Sequence, residues 1–393
     1  MTVAATGLAV APQTSASAQP TVAAIVDTIP DLSEIDPGPL PQFSEPAFPA
    51  TRSTAAKAAS QCQFGSFGTL NTDAADANNI MRGQARVTQF GTFKLKKNPS
   101  WRYTRSLDSS GNANMHALHW ALPLLRYGLR TGNTAMVNRF YTLVFDWIKD
   151  NPPKRPRQSA AYGQIESGFR MLSMACALAG PAPKRKKLKA ALKTQATVAA
   201  KRWGNVNNVS FLQAGGIYSA GCAIGSSKIR KKGLSRMAAN SAKMIADDGS
   251  VREGSMIYAR NTYTWTQQQI ARIRGCGNAV PAALLRSNLI PDFLAHGMRP
   301  DGRYEALGDG VPSKAQVDES PAGSSLRYMT VGGTQGPAPQ FKYSRYSAGF
   351  IFGHSGFGQN RPFSDETYYS VRTGPGHSTE YHAHSDAGAL TLA

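Results

Sequence analysis

The sequence predicts an α+β protein with several domains, in which an α/α toroid of helical hairpins precedes the start of an antiparallel β-sandwich. From about residue 112 to residue 296, apolar residues recur at helical spacing in pairs of segments that short Gly- or Pro-containing turns separate. Successive helical hairpins of similar length indicate a toroid or solenoid rather than a bundle. After Pro300, Asp301 and Gly302 the helical period ends, and short strand-like runs follow.

Four hairpins are predicted in chain order. The first has an apolar face before the turn Thr131-Gly132-Asn133 and a second apolar face after it, made of Leu118, Leu122, Leu125 and Leu129 and then of Val137, Phe140, Val144 and Trp147. The other three are predicted at 161–179 with 184–203, at 208–224 with 233–245, and at 263–274 with 281–296. Strands are predicted at 349–352, 368–371 and 389–392.

Three regions follow from this pattern. Residues 1–60 form a signal-like segment and a Pro-rich linker, 61–299 form the toroid, and 300–393 form a linker and the first strands of the sandwich. Because the chain stops inside a predicted strand and so few strands do not close a sandwich, we expect a truncated protein. Ala16-Ser17-Ala18 resembles a signal-peptidase site without a basic region before it, and it favours secretion or a periplasmic location.

Charge and cysteine content limit the function classes. The formal net charge is +20, and residues 1–51 contain no Lys or Arg, so the basic residues all lie in the rest of the chain. This charge favours an anionic partner, although basic charge can also serve solubility alone. The basic runs at 184–189 and 228–232 carry no interleaved aromatic residues, which predicts solvated surface rather than a nucleic-acid site.

The four cysteines are far apart in the sequence. Cys62, Cys176, Cys222 and Cys276 form no Cys-x-x-Cys pair, so they predict neither a zinc cage nor a dense disulfide framework, and one or two disulfides are possible. No run of eighteen apolar residues exists in the chain, and we expect no membrane span.

The polar segment 247–265 is the first candidate for chemistry. Tyr258 and Arg260 lie two residues apart in it, and a phenol becomes a usable base only where cations favour its anion. The alternative is a polar helix start with Tyr258 half-buried. Asn208 begins a predicted helix, where a helix cap and a ligand-binding amide are both possible.

Other polar pairs allow ordinary structural explanations. Glu166 and Arg170 are one helical turn apart, which favours a surface ion pair over substrate binding. His116 and His119 are also one turn apart at a helix start, where capping or core packing is expected.

His382 and His384 lie two residues apart near the end of the chain. On a strand this spacing directs both side chains to one face, although two exposed histidines on an edge strand would show the same spacing. A zinc site at His384 would require two or three further ligands, for which Asp365 and His377 are candidates.

Three motifs in order resemble the heparinase II/III-like polysaccharide lyases. Asn208 to Gln213 with Gly221 to Gly225 is similar to that family's Asn-His-Gly and Gly-Cys-x-x-Gly helix. The second motif is a segment that comprises Asp248, Gly249, Glu253, Ser255 and Tyr258 and is followed by the pairs Asp301-Gly302 and Gly308-Asp309. The third motif is the run Tyr369 to Gly376 with His382, His384 and Asp386. Val209 departs from the family pattern, in which many members have His.

The resemblance implies a toroid, a β-sandwich and an active site in the cleft between them. It further implies that Asn208 binds a uronate carboxylate, that Tyr258 acts as base and acid, and that His382 is the second catalytic group. His384 would be a metal ligand, with a structural divalent ion such as zinc in the β domain. Further substrate contacts are expected from Glu253, Arg260 and Arg372.

The function expected on this basis is β-elimination from a uronate-containing anionic polysaccharide, with no nucleic acid as partner. The proton next to a uronate carboxylate is removed only if donors oppose the enediolate that develops, and an acid must meet the leaving oxygen. One alternative is a glycoside hydrolase on the same fold, for which Glu253 and Asp309 are candidate carboxylates. The other is a non-catalytic binder of polyanions. The sequence does not distinguish among uronate polymers or oligomeric states.

Overall fold

The computed structural model describes Cys62 and residues 72–87, 90–204, 206–373, 382 and 388–393. All of these residues belong to one compact unit, Pro39–Ala393. The expected signal-like segment and Pro-rich linker, residues 1–60, lie outside the described residues.

The described chain begins with a short helix and a β-hairpin. Helix α1 is Asp73–Met81, and the antiparallel strands β1 and β2 are Gln84–Val87 and Gly91–Lys94. The sequence pattern did not predict this hairpin, because its two strands contain fewer apolar residues than the strands that were predicted. Buried Asp73 attaches α1 to the helix Leu122–Thr131, since it accepts hydrogen bonds from Arg126 Nε and from Arg130 Nη2 at 2.8 Å.

Helical hairpins follow and confirm the predicted sequence of helix pairs. After α2 (Ser109–Asn114), they comprise α3 (Leu122–Thr131), α4 (Thr134–Asp150), α5 (Gln164–Ala179), α6 (Arg185–Lys201), α7 (Asn208–Ile224), α8 (Ser227–Met244), α9 (Met256–Gly275), α10 (Ala282–Leu285) and α11 (Ile290–His296).

The expected position of Leu118 on the first helical face is wrong. Its φ of 60° is left-handed and separates two 3₁₀ turns, so that α3 begins only at Leu122. Leu118 is fully buried, so its apolar character reports the core and not the helical period. The turn after α3 is as predicted: Gly132 has a φ of 70°, and the Asn133 side chain accepts from Met136 N at the start of α4.

Helix α7 lies at the centre of the helical part and is in backbone contact with its neighbours. A Cβ at Gly216 would lie 2.5 Å from the carbonyl oxygen of Gly168 on α5, and a Cβ at Gly168 would lie 2.7 Å from that of Leu212. On the other side, a Cβ at Gly233 of α8 would overlap the backbone of Tyr218. Any side chain at these glycines would therefore push the helices apart.

Two disulfides are present, in agreement with the expectation of one or two. Cys62 is bonded to Cys176 on α5, and Cys222 at the end of α7 is bonded to Cys276 directly after α9. The second bond holds the C-terminal ends of two helices whose N-terminal ends carry candidate site residues.

The C-terminal part contains a four-stranded antiparallel sheet. Its strands in spatial order are β3 (Tyr343–Tyr346), β4 (Phe350–His354), β5 (Tyr368–Arg372) and β6 (Leu390–Leu392). The three predicted strands correspond to β4, β5 and β6. Within the stretch predicted to be irregular, the structure has a short helix, α12 (Ser325–Thr330).

The sheet packs on the helices through aromatic rings. Phe293 on α11 contacts Phe350 and Phe352 of β4, with ring centroids 5.3 and 5.9 Å apart. Helices and sheet thus share one hydrophobic core. The expected domain boundaries at 60 and 299 stay predictions.

A turn before α9 is hydrogen-bonded to the β3–β4 turn. The carboxylate of Asp248 accepts from Ser347 N at 2.6 Å, and Ala348 N donates to Ser250 Oγ at 3.1 Å. The segment that enters the candidate site is thereby attached to the sheet.

The interpretation of Glu166 and Arg170 as a surface ion pair is wrong, because both lie on the inner side of α5. Arg170 is fully buried, donates to Gln195 Oε1 at 2.8 Å and lies over the Trp147 ring at 4.0 Å. Burial raises the pKa of Glu166.

Core packing is confirmed for the two histidines before α3. His116 accepts a hydrogen bond from Trp147 Nε1 at 3.1 Å, and the His119 ring lies 5.2 Å from that of Phe169. Burial lowers the pKa of each histidine to about 4, so that both are neutral at physiological pH.

Candidate active site

Glu253 is the most deeply buried acidic group of the candidate site. It lies in the turn before α9, has no exposed surface, and accepts a hydrogen bond on Oε1 from Asn208 N at 2.9 Å. Burial raises the pKa of its carboxyl to about 8, and the hydrogen bond from Asn208 N offsets only part of that effect. At neutral pH Glu253 therefore carries a proton.

Asn208 is the first residue of α7, but it does not cap the helix. The capping side chain belongs to Asn207, which accepts from Ser210 N at 2.9 Å. The Asn208 amide instead faces His382, with 3.2 Å between its Nδ2 and His382 Nε2. Of the two possibilities open from the sequence, the structure therefore excludes the cap.

His382 contacts residues from three other parts of the chain. Its Nδ1 lies 2.8 Å from Asp309 Oδ2, and its Nε2 lies 3.4 Å from Glu253 Oε2. The Asn208 amide nitrogen can only donate and an ionised Asp309 can only accept, so the hydrogen on the ring belongs to Nδ1. The lone pair of Nε2 then points toward Asn208 and Glu253.

Tyr258 lies in the first turn of α9, half-buried, with its ring stacked on His382. The ring centroids are 3.3 Å apart and the planes are inclined by 11°. Burial raises the pKa of the phenol, and the charges of Asp309 and Glu253 raise it further. The neutral phenol is therefore the stable form at physiological pH.

The expectation that a neighbouring arginine favours the Tyr258 phenolate is wrong for the free protein. Arg260 follows two residues later on α9, about 200° around the helix, and therefore points elsewhere. Its Nη1 lies 3.5 Å from Glu319 Oε2. Contact of Arg260 with substrate stays a prediction.

A glycine makes the close approach of Asp309 to His382 possible. Gly308 has a φ of 61°, and a Cβ there would overlap the carbonyl oxygen of His382 and lie 2.6 Å from that of Gly254. Next to it, Asp309 N donates to the His382 carbonyl at 2.8 Å. The loop thus holds both the backbone and the ring of His382.

Arg372 lies inside the sheet, apart from the contacts just described. It is 3% exposed, donates from Nη1 to the Ala348 carbonyl and lies 4.3 Å from the centroid of the Phe350 ring. These contacts are those of a packing residue of β5, and its role in substrate binding stays a prediction.

The expected zinc ligand, His384, and its candidate partner His377 lie outside the described residues. Within the described part of the chain, no three His, Cys, Asp or Glu side chains are grouped so that they could hold a metal ion. The zinc site therefore stays a prediction.

The structure thus brings together four of the seven residues that the sequence indicated: Asn208, Glu253, Tyr258 and His382. It adds Asp309, which the sequence indicated as part of a motif and as a possible hydrolase carboxylate, but not as a partner of His382. The signal that could have identified Asp309 as a partner of His382 is the Gly308-Asp309 pair, because this pair predicts a tight turn.

Comparison with solved structures shows the fold. Heparinase III superposes with a TM-score of 0.66 at 15% sequence identity, over 87% of this chain and 60% of that one. Heparan sulfate lyase HepC from Pedobacter heparinus gives a TM-score of 0.63 at 18% identity, over 87% of this chain and 58% of that one. Neither a protein-family model nor a curated protein matches the sequence.

The chain therefore has a heparinase-like fold, an α/α toroid followed by a β-rich part, as the resemblance implied. It spans about three fifths of the length of these solved structures.

Proposed function

We propose that the protein is a polysaccharide lyase that cleaves a uronate-containing anionic polysaccharide by β-elimination. The observation that carries the proposal is His382, whose Nε2 lies 3.2 Å from the Asn208 amide while its ring is stacked on Tyr258. This arrangement provides a base, an acid and hydrogen-bond donors within one small group of side chains.

Hydrogen-bond donors are required first, because the proton next to a carboxylate is too weakly acidic while the carboxylate keeps its full charge. The Asn208 amide and the carboxyl of Glu253 are the donors in this site. With a pKa of about 8, Glu253 keeps its proton at neutral pH and donates to a substrate carboxylate instead of repelling it. Both donors are buried, where such hydrogen bonds are strong.

His382 takes the proton from the substrate carbon on Nε2. Asp309 accepts from Nδ1, keeps the ring in the required tautomer and stabilises the imidazolium that forms. The electron pair of the broken C–H bond becomes the new double bond, and the glycosidic C–O bond breaks.

Tyr258 gives its phenolic proton to the leaving oxygen. The raised pKa of Tyr258 suits this acid role, since the phenol stays protonated until the leaving oxygen becomes basic. The stacked rings place acid and base side by side, which suits a proton and a leaving oxygen on the same side of the sugar. Exchange with solvent then restores both residues.

The hydrolase alternative is disfavoured by the position of the imidazole. A glycoside hydrolase holds the scissile bond between two carboxyl groups. Glu253 and Asp309 instead contact opposite nitrogens of His382, whose ring occupies the space between them. The absorbance assay described below distinguishes a non-catalytic binder of polyanions from a lyase.

The surface charge supports an anionic polymer as partner. Helices α6 and α8 contain several Lys and Arg residues and no Asp or Glu. Such a field concentrates a polyanion near the protein.

A secreted or periplasmic location is part of the proposal. Two disulfides favour an oxidising compartment. Among the described helices, none is long and apolar enough to cross a membrane.

The test is the ultraviolet absorbance of the unsaturated uronate product on a panel of uronate polymers. We expect Tyr258→Phe to lower the rate at least ~100-fold, in the range for loss of a general acid. Tyr343→Phe is the matched control, because Tyr343 is exposed on β3, and it should keep the wild-type rate. Absence of the absorbance on every polymer, with polymer binding retained, would establish the binder instead.

A further inference from the structure

A cavity lies beside the β1–β2 hairpin and shares no lining residue with the candidate active site. Its volume is about 570 Å³, within the range of ~300–1,000 Å³ that is usual for small-ligand pockets. Phe93 and Trp101 contribute buried aromatic surface, and Lys94, Lys96, Arg102 and Tyr103 surround them as exposed side chains. We call it the hairpin cavity.

The charge of the hairpin cavity has one sign. Its lining contains three cationic side chains, those of Lys94, Lys96 and Arg102, and no Asp or Glu. Within the described part of the chain, none of these three forms an ion pair or a side-chain hydrogen bond. Cations that line a concave surface without neutralising partners produce a strong positive potential inside it.

Trp101 makes the cavity wall rigid. Its φ of 53° is left-handed, which is rare for a bulky residue and persists only where the surroundings hold it. The ring is 1% exposed and donates from Nε1 to Asp146 Oδ2 at 2.7 Å. This hydrogen bond fixes the backbone directly before Arg102 and Tyr103. Tyr103 is a large aromatic residue and is nevertheless 64% exposed.

We infer that the hairpin cavity binds one acidic sugar unit of an oligosaccharide. The cations would contact its carboxylate or sulfate groups, and the exposed Tyr103 ring would pack against the apolar face of the sugar. Choosing a sugar over another anionic ligand rests on the proposed function, whereas the preference for an anion rests on the cavity alone.

The experiment uses the full chain carrying Tyr258→Phe, so that the ligand is not cleaved. A sulfated uronate tetrasaccharide is titrated by calorimetry into this protein, into a Lys94→Ala/Arg102→Ala derivative and into a Lys97→Ala/Arg105→Ala derivative. Lys97 and Arg105 are exposed in the same segment but do not line the cavity. The two derivatives therefore have the same net charge.

We expect the cavity substitutions to weaken one class of binding site at least tenfold, and the control substitutions to change its affinity less than threefold. Tyr103→Ala should weaken the same class, and a neutral tetrasaccharide should not bind to it. Equal affinities for the two double variants would overturn the inference. Equal binding of a single-stranded oligonucleotide at this site would overturn the choice of a sugar.

The outcome is separable from that of the proposed function. A protein that produces no unsaturated uronate but loses tetrasaccharide binding through Lys94→Ala/Arg102→Ala refutes the lyase and supports the cavity. A protein that produces it, with equal affinities for the two double variants, supports the lyase and refutes the cavity.

Discussion

At the scale of single residues, the proposed chemistry depends on a carboxyl group that the fold keeps protonated. Glu253 has no exposed surface, and its Oε2 forms no hydrogen bond within the described part of the chain. A buried carboxylate without strong donors is costly, so the proton stays on the carboxyl until the pH reaches about 8. In the proposed reaction, the same proton makes Glu253 a donor for an anionic substrate.

Glu253→Gln should therefore change the pH dependence of the proposed lyase reaction. Glutamine keeps an oxygen that accepts from Asn208 N and a nitrogen that donates, but it does not ionise. In the wild-type protein we expect kcat/KM to fall as the pH rises through about 8, and in the variant this alkaline decline should be absent. The measurement is the absorbance assay from pH 6 to pH 10. An identical decline in both proteins would exclude Glu253 as its source.

Urea unfolding provides the independent control for this pH effect. The pKa of Glu253 is raised from 4.5 to about 8, so the folded state keeps a proton that the unfolded state loses, and this contribution to stability declines as the pH rises from 4.5 through about 8. The stability difference between variant and wild type should shift in favour of the variant by on the order of 2 to 4 kcal/mol between pH 5 and pH 8.

Asp309→Asn tests the tautomer of His382. An asparagine amide turned toward Nδ1 would favour the proton on Nε2 and remove the lone pair that accepts the substrate proton. We expect kcat to fall ~100- to 10,000-fold, as for the corresponding change in a catalytic triad. Asp301→Asn, a change in an exposed turn, is the control and should leave kcat unchanged. Retained activity in Asp309→Asn would mean that His382 is not the base.

The sequence indicated these residues but not how they interact. Tyr258 and Arg260 are neighbours in the sequence, and only the helical phase of α9 separates them. His382 and Asp309 are far apart in the sequence, and only tertiary structure shows that they are partners. Proximity along the chain therefore suggested the wrong partner for Tyr258.

At the scale of elements, the loop before Asp309 positions His382, the proposed base. Gly308→Ala should displace His382, because a Cβ at residue 308 would overlap the His382 carbonyl oxygen. We expect at least a ~100-fold loss of activity, since a misplacement of about 1 Å is sufficient for a loss of this size.

Gly302→Ala separates strain from displacement. Gly302 has a φ of 75°, but a Cβ there would meet nothing within 4 Å. This substitution should cost about 1–2 kcal/mol of stability, the usual cost of a left-handed alanine, and leave kcat unchanged in the absorbance assay. If the two variants lost activity equally, backbone strain and not the position of His382 would be responsible.

The elements themselves were largely predictable. Long amphipathic helices such as α4 have a clear apolar period in the sequence. Gly132 marks the end of α3, and Asn133 caps the start of α4. Leu118 and the β1–β2 hairpin were not predictable, because a left-handed residue in the core and two short strands with few apolar residues leave no clear periodic signal.

At the scale of the whole molecule, the disulfides stabilise the arrangement of the helices. Cys222→Ser/Cys276→Ser removes a bond that joins residues 54 apart in the sequence. By the chain-entropy relation we expect the free energy of unfolding to fall by about 4 kcal/mol, measured in urea. A reductant should lower the stability of the wild-type protein at least as much, because it also opens Cys62–Cys176. Insensitivity of the wild-type protein to reductant would contradict this prediction.

The overall architecture was predicted because it depends on repetition. Helical hairpins of similar length follow one another along the chain, and the motifs occur in the order that the resemblance requires. The hairpin cavity could not be predicted in this way. Its basic side chains line one cavity only because the left-handed backbone at Trp101 shapes the wall beside them.

Gly168 and Gly216 limit how this protein can diverge during evolution. Helix α7 begins with Asn208, so a side chain at either glycine would separate α5 from α7 and move the amide that faces His382. Exposed lysines of α6 can be exchanged one at a time under neutral drift. The two glycines cannot be replaced one at a time in this way. A protein that lost either one would need compensating changes both in the contact between α5 and α7 and in the candidate site. Mutagenesis libraries should therefore leave both positions unchanged.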